Sequence, residues 1–208
     1  MKICEIFASI QGESSLVGIP MIFIRLTGCN LRCRYCDTQY SYSEGEELSV
    51  DQVIDKVKQF KLKYIEITGG EPLLQNEVYE LMNNLVKSYN VVLETNGSVS
   101  INKVNPQVKI VMDIKTPGSG MNHRNYLKNI NCLKKTDEVK FVIADREDYE
   151  WTKEFINTHT FNAEEILFSP VFEILDPSEL SKWIIQDSLS VRLNLQIHKY
   201  IFGDKRGV

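Results

Sequence analysis

The sequence predicts an α/β protein, built as a partial, open (βα)6-type parallel barrel in a single domain. Three observations lead there. Short apolar runs alternate with helical patterns from residue 21 onward, as parallel strands covered by helices do. Polar motifs close one strand-like run after another, as they do at the catalytic mouth of a barrel. The 208 residues suit one domain and leave about six βα units, too few for a complete eight-stranded barrel.

Met21–Thr27 is a compact apolar run and reads as a buried strand. Val50–Phe60 follows as a helix with Val53, Ile54, Val57 and Phe60 on one face, and Ser49 with Gln52 forms a capping box before it. Tyr64–Thr68 is the next strand. Glu77–Tyr89 is a helix turning Leu81, Met82, Leu85 and Tyr89 inward. Val91–Glu94, Lys109–Asp113, Val139–Ile143 and Ile166–Ser169 supply further strands. Helical patterns fall near Asn125–Lys134 and Tyr149–Asn157. Another begins at Asp176-Pro177, an N-cap followed by proline, with Glu179 in its first turn. Val191–His198 alternates apolar residues and reads as a last strand. No linker, repeat or low-complexity tract interrupts residues 1–208, so one domain is predicted.

A net charge of −4, with no run of Lys or Arg longer than a pair, argues against nucleic acid as the main partner. No apolar run approaches the ~20 residues of a membrane span. The amino terminus lacks the apolar core of a signal peptide, so the expected compartment is the cytoplasm, away from membranes.

Of five cysteines, Cys29, Cys33 and Cys36 form C-x3-C-x2-C, which is no disulfide framework. Three thiolates so spaced can ligate three irons of a cubane cluster and leave the fourth without a protein ligand. That iron can chelate the amino and carboxylate groups of S-adenosylmethionine. A zinc knuckle is the alternative, but zinc wants four ligands, and Cys4, Cys132, His123, His159 and His198 are isolated. Cys4 and Cys132 read as buried small hydrophobes. Arg25-Leu26-Thr27-Gly28, Thr68–Pro72, Glu94–Gly97, Asp113–Lys115 and Ser169-Pro170 all end predicted strands and should converge on one mouth. Arg25 sits in a strand too apolar to hold a guanidinium unpartnered. It is either in a buried ion pair with Glu13 or Glu94, or a fork for a substrate carboxylate.

The cysteine pattern resembles that of the radical S-adenosylmethionine superfamily. Gly69-Gly70-Glu71-Pro72 is similar to its second signature, whose backbone and carboxylate receive the methionine amino group. Within the superfamily the chain resembles the 7-carboxy-7-deazaguanine synthases nearly end to end. The likeness runs through Glu5–Glu13, Arg25, Cys29–Thr38, Thr68–Pro72, Glu94–Gly97, Gln196–Tyr200 and Lys205–Val208.

The resemblance implies a modified, incomplete barrel that forms a homodimer. It implies conversion of 6-carboxy-tetrahydropterin to 7-carboxy-7-deazaguanine with loss of ammonia, for queuosine or another deazapurine. The implied cofactors are a [4Fe-4S] cluster, S-adenosylmethionine and Mg2+ on Thr38, with a flavodoxin or ferredoxin as electron donor. By position, Tyr35, Cys36, Asp37, Gly70, Asp113, Ile114, Lys115, Ser169, Pro170, Val171 and Phe172 would form the S-adenosylmethionine pocket. Ile10, Gln11, Gly12, Glu13, Arg25, Thr68, Glu94 and His198 would contact substrate. Gln11 and Glu13 suit the donor and acceptor edge of a pterin. His198 is a core histidine or a ligand, and Thr38 caps the loop or ligates metal. Ser14, where many members have glycine, and the segment at Ser169–Phe172 depart from the family pattern. A glycyl-radical activating enzyme shares the cysteine spacing and is the competing reading, beside a non-catalytic zinc module.

Overall fold

A computed structural model describes residues 1–203 and 205–208. Its elements in chain order begin with strands β1 (Lys2–Ile10), β2 (Pro20–Leu26) and β3 (Glu46–Glu47), then helix α1 (Val50–Val57) and β4 (Tyr64–Gly69). There follow α2 (Glu77–Leu85), β5 (Asn90–Thr95), β6 (Lys109–Asp113), β7 (Glu138–Ile143) and α3 (Arg146–Thr158). The chain ends with β8 (Glu165–Pro170), α4 (Pro177–Gln186), β9 (Arg192–Leu193) and α5 (Ile197–Phe202). The strands form one sheet in the order β3-β1-β2-β4-β5-β6-β7-β8-β9. From β2 through β9 every pairing is parallel, while β1 joins β2 and β3 antiparallel. The two outer strands of this order do not pair, so the barrel stays open, as predicted.

Three details correct the sequence reading. The amino-terminal leader is the antiparallel strand β1. The Asn125–Lys134 pattern is not an α-helix; Leu127–Cys132 is a 3-10 turn, because Asn129 donates to the carbonyls of Gly97 and Val99 and holds the segment in a bend. Val191–His198 is a strand only at Arg192–Leu193. There the Asn194 side chain accepts from the Ser14 amide and donates to Ser169 Oγ, drawing the chain off the sheet and into α5. Among the described residues no α-helix joins β5 to β6.

The central strands β2 and β4–β8 are mostly buried on both faces, as parallel strands are. Ile22, Ile24, Ile65, Ile67, Leu93, Met112, Phe141 and Phe168 face outward into the core under the helices. Alternate residues face the lumen. At its amino end Met21, Phe23, Val92 and Val111 make an apolar plug, with Phe7 stacked on Phe23 at 5.2 Å. Two residues further along the same strands the plug gives way to Arg25, Glu94 and Asp113. The register sets Arg25 beside Thr68 and Asp113 beside Lys140. An apolar floor under a polar layer is thus written into the strand alternation.

Candidate active site

The cluster loop leaves β2 at Gly28, which takes φ +97, donates to Ser41 O and accepts from Glu71 N at 2.8 Å each. A Cβ on Gly70 would lie 2.1 Å from Gly28 O and 2.7 Å from Cys29 Cβ, so only glycine lets the two loops touch. Cys29, Cys33 and Cys36 are all free and half-buried. Cys29 Sγ accepts weakly from Leu31 N at 3.4 Å and Asn96 Nδ2 at 3.7 Å. Burial pushes the Cys29 and Cys33 thiols above their ordinary value. Among the described residues no three His, Cys, Asp or Glu side chains converge on one metal ion. Three thiolates on one loop suit three irons of a cubane cluster, whereas a zinc knuckle wants a fourth ligand.

Glu71 departs from expectation. Its carboxylate is fully buried and accepts from Leu73 N, Thr95 Oγ1 and Asn96 N at 2.7–3.0 Å. It ties the second signature to the end of β5 and is not free for a methionine amino group. Across the mouth, Lys115 Nζ donates to Asp113 Oδ2 at 2.8 Å, while buried Asp113 Oδ1 has no partner among the described residues. Tyr35 OH donates to Val142 O at 3.3 Å, and burial lifts its pKa to about 12. The Ile114 amide donates to Lys140 O. Ser169 and Pro170 end β8. Val171 N then donates to Ile143 O, and the Phe172 ring meets Tyr200 edge-on at 5.5 Å. Three half-buried thiols, a glycine cradle and an orphaned carboxylate oxygen fit a cluster carrying a ligand rich in hydroxyl and ammonium donors.

The residues expected to contact substrate also come together, with corrections. Arg25 pairs with Glu5, directly opposite on β1, and not with Glu13 or Glu94; Nε donates to Glu5 Oε1 at 2.8 Å. Glu5 is held in turn by Tyr40 OH at 2.8 Å. Among the described residues the guanidinium donates only from Nε, so its outer edge is open. Gln11 is 4% exposed, and its amide is consumed internally, donating to Glu66 and accepting from Glu13 N. It therefore orients Glu13 and reads no edge itself. Glu13 accepts from Lys140 at 3.0 Å and Gln196 at 2.8 Å. Glu94 accepts from Lys140 and from Thr68 Oγ1 at 3.1 Å. Burial alone would raise Glu94, but Lys140 outweighs it and holds it at about 2. Ile10 ends β1. Gly12 O accepts from Ile197 N at 3.0 Å, and a Cβ on Gly12 would lie 1.9 Å from His198 Nδ1. His198 thus lies on α5 against the Gly12 turn, and not in a strand. Thr38 Oγ1 donates to Asp37 Oδ1 at 2.8 Å, and Asp37 pairs with Lys199 at 2.7 Å. Cys4 is half-buried, whereas Cys132 is exposed and no core residue.

The sequence reading missed Glu5, Glu66 and Lys140. Lys140 carried the same signal as Arg25, a cation within an apolar strand run, at Val139–Ile143.

An open parallel barrel with this cysteine loop and glycine cradle at its mouth defines a radical S-adenosylmethionine enzyme, and residues 23–150 match the Radical SAM superfamily. The chain is 42% identical to the 7-carboxy-7-deazaguanine synthase of Koribacter versatilis, over 97% of this chain and 97% of that one. It is 36% identical to the synthase of Thermoplasma acidophilum over 100% of both. It also superposes on the crystal structure of QueE from Escherichia coli with a TM-score of 0.78, at 22% identity over 94% of this chain and 93% of that one. That last likeness is one of fold. The chain belongs to the 7-carboxy-7-deazaguanine synthase family of radical S-adenosylmethionine enzymes, whose cofactors are a [4Fe-4S] cluster and S-adenosylmethionine. Among the described residues no helix is long and apolar enough to cross a membrane.

Proposed function

We propose that this chain converts 6-carboxy-5,6,7,8-tetrahydropterin to 7-carboxy-7-deazaguanine and ammonia by radical ring contraction, in queuosine or other 7-deazapurine biosynthesis. The observation that carries the substrate assignment is Arg25. Its Nε is anchored by Glu5 and its outer edge is open, on the wall of a lumen that also holds Glu13, Thr68 and Glu94. A guanidinium so fixed pairs with a carboxylate through charge-assisted bonds, and the carboxylates opposite accept from the N–H groups of a pterin.

Cys29, Cys33 and Cys36 hold the cluster in this reading. Tyr35, Asp37, Gly70, Asp113, Ile114, Lys115 and Ser169–Phe172 enclose S-adenosylmethionine. When bound, the pair supplies a carbon radical that removes hydrogen from the substrate carbon bearing the carboxylate. Asp113 Oδ1, unpartnered and buried, accepts a hydroxyl of the ligand. The tail keeps water and bystander groups out of the mouth, with Gln196 on Glu13 and Ile197 on Gly12. Thr38 offers one hard oxygen donor for Mg2+, too few to hold it without substrate. The working enzyme is a cytoplasmic homodimer reduced by a flavodoxin or ferredoxin.

The test is an anaerobic incubation with carboxypterin, S-adenosylmethionine, reductant and magnesium. Deazaguanine product, with turnover falling sharply when magnesium is withheld, is the expected result. S-adenosylmethionine cleavage without deazaguanine would overturn the substrate assignment.

A further inference from the structure

Lys140 lies on β7 among apolar neighbours, its side chain 5% exposed. It faces Glu13 from the turn after β1 at 3.0 Å and Glu94 from β5 in hydrogen-bond contact. Asp113 on β6 is its register partner, and Glu66 on β4 and Arg25 on β2 share the lumen. Arg25 already belongs to Glu5, and Asp113 to Lys115. Lys140 is therefore the one cation, among the described residues, that Glu13 and Glu94 share. Without it two half-buried carboxylates would share the lumen with no cation between them, an arrangement in which like charges disfavour each other's ionised form.

We propose that Lys140 is a positioning residue for substrate recognition: its ammonium clamps Glu13 and Glu94 as a pair of fixed, ionised acceptors for the N–H edge of a pterin-like ring. The inference rests on the functional reading above. The geometry makes the clamp specific. Each carboxylate gives one oxygen to Lys140 and the other to a second donor, Gln196 for Glu13 and Thr68 for Glu94. Both planes are thereby set, and a remaining lone pair on each can take a substrate donor. The clamp also spans elements distant in sequence, joining the β1 turn and the tail to the middle of the sheet.

In Lys140→Met the pair shares a proton at neutral pH and loses an acceptor. KM for carboxypterin should rise tenfold or more. It should fall again as pH is raised from 6 to 9, while the wild-type KM stays level. Cluster content and S-adenosylmethionine binding should be unchanged, because Lys140 meets the proposed cofactor pocket through its backbone carbonyl, which accepts from Ile114 N and which the substitution leaves in place. Lys140→Arg, which keeps the charge, should recover part of the affinity and the level pH profile. If Lys140→Met does not fold, Lys140→Met with Glu94→Gln removes the stranded charge; it should fold, bind S-adenosylmethionine and still bind carboxypterin at least tenfold more weakly. A wild-type KM and level pH profile in Lys140→Met, or wild-type affinity in the double variant, overturns the inference. Failure of the wild-type enzyme to turn over carboxypterin would instead overturn the functional reading.

Discussion

A single methyl group at Gly70 would meet the Gly28 carbonyl, O at 2.1 Å and C at 2.6 Å, and the Cβ of Cys29 at 2.7 Å, none of them the far end of a flexible side chain. Neither can yield without moving the cluster loop. Gly70→Ala should therefore destabilise the protein by about 1–3 kcal/mol, the usual cost of overpacking. It should also lower iron and sulfide bound per chain, because the displaced group carries the first cysteine. Metal analysis beside a thermal melt checks this; full cluster loading at an unchanged midpoint would mean that the two loops part freely. Arg25 makes the complementary point about chemistry. The sequence offered two readings, a buried ion pair or a carboxylate fork, and the structure accommodates both on one side chain. Nε serves Glu5, and the outer edge remains for a ligand.

At the scale of elements, α5 is the instructive case. It spans six residues, none of them buried, and a helix that short has no stability of its own. It is held by Ile197 N on Gly12 O at 3.0 Å, Gln196 on Glu13 at 2.8 Å, and Lys199 on Asp37 at 2.7 Å. Beyond it Arg206 stacks on Tyr40 at 3.6 Å and pairs with Glu44. Exposed ion pairs contribute roughly 0.2–1 kcal/mol each and weaken with salt. The double variant Lys199→Ala with Arg206→Ala should expose the amides of residues 197–203 to faster hydrogen exchange and leave β4 and β5 protected. Unchanged exchange there would show that the backbone contacts at Gly12 suffice. The central strands, the helix faces of α1 and α2 and the start of α4 were legible because periodicity and caps are local; the Ser49–Gln52 capping box and the Asp176 N-cap form as read. The tail was not, because Val191–His198 alternates like a strand. What ends β9 is Asn194 reaching Ser14 and Ser169, partners far off in sequence. The same limit hid the roles of Gln11 and Glu71. Their residue types were visible, but not the internal donors and acceptors that consume them.

The molecule holds a group of charges inside its lumen, and its stability should record them in pH. Glu94 has an ordinary value of 4.5 and is held at about 2 in the fold, since Lys140 overcomes the effect of burial. A depressed carboxylate contributes stability above its unfolded value that is lost as pH falls through the folded one. The lumen therefore weakens on acidification between about 4.5 and 2. Glu66 works in the opposite direction. It sits in the apolar layer, paired in register with Phe23 and Val92, and burial first, then Glu94 and Glu13, push its carboxyl well above the ordinary value. Its neutral form is the favoured one, so stability is fully present below the unfolded value and declines as pH rises toward the folded one. Glu66→Gln keeps an acceptor for the Gln11 amide and removes the ionisable proton. Its denaturation midpoint should match that of the wild type near pH 4 and exceed it by a margin that widens up to pH 8. Urea unfolding of both proteins across that range provides the measurement. A midpoint below the wild type at pH 8 would mean that Glu66 is ionised in the fold and that Lys140 serves three carboxylates, in which case the lumen's charge balance would have to be redrawn around that lysine.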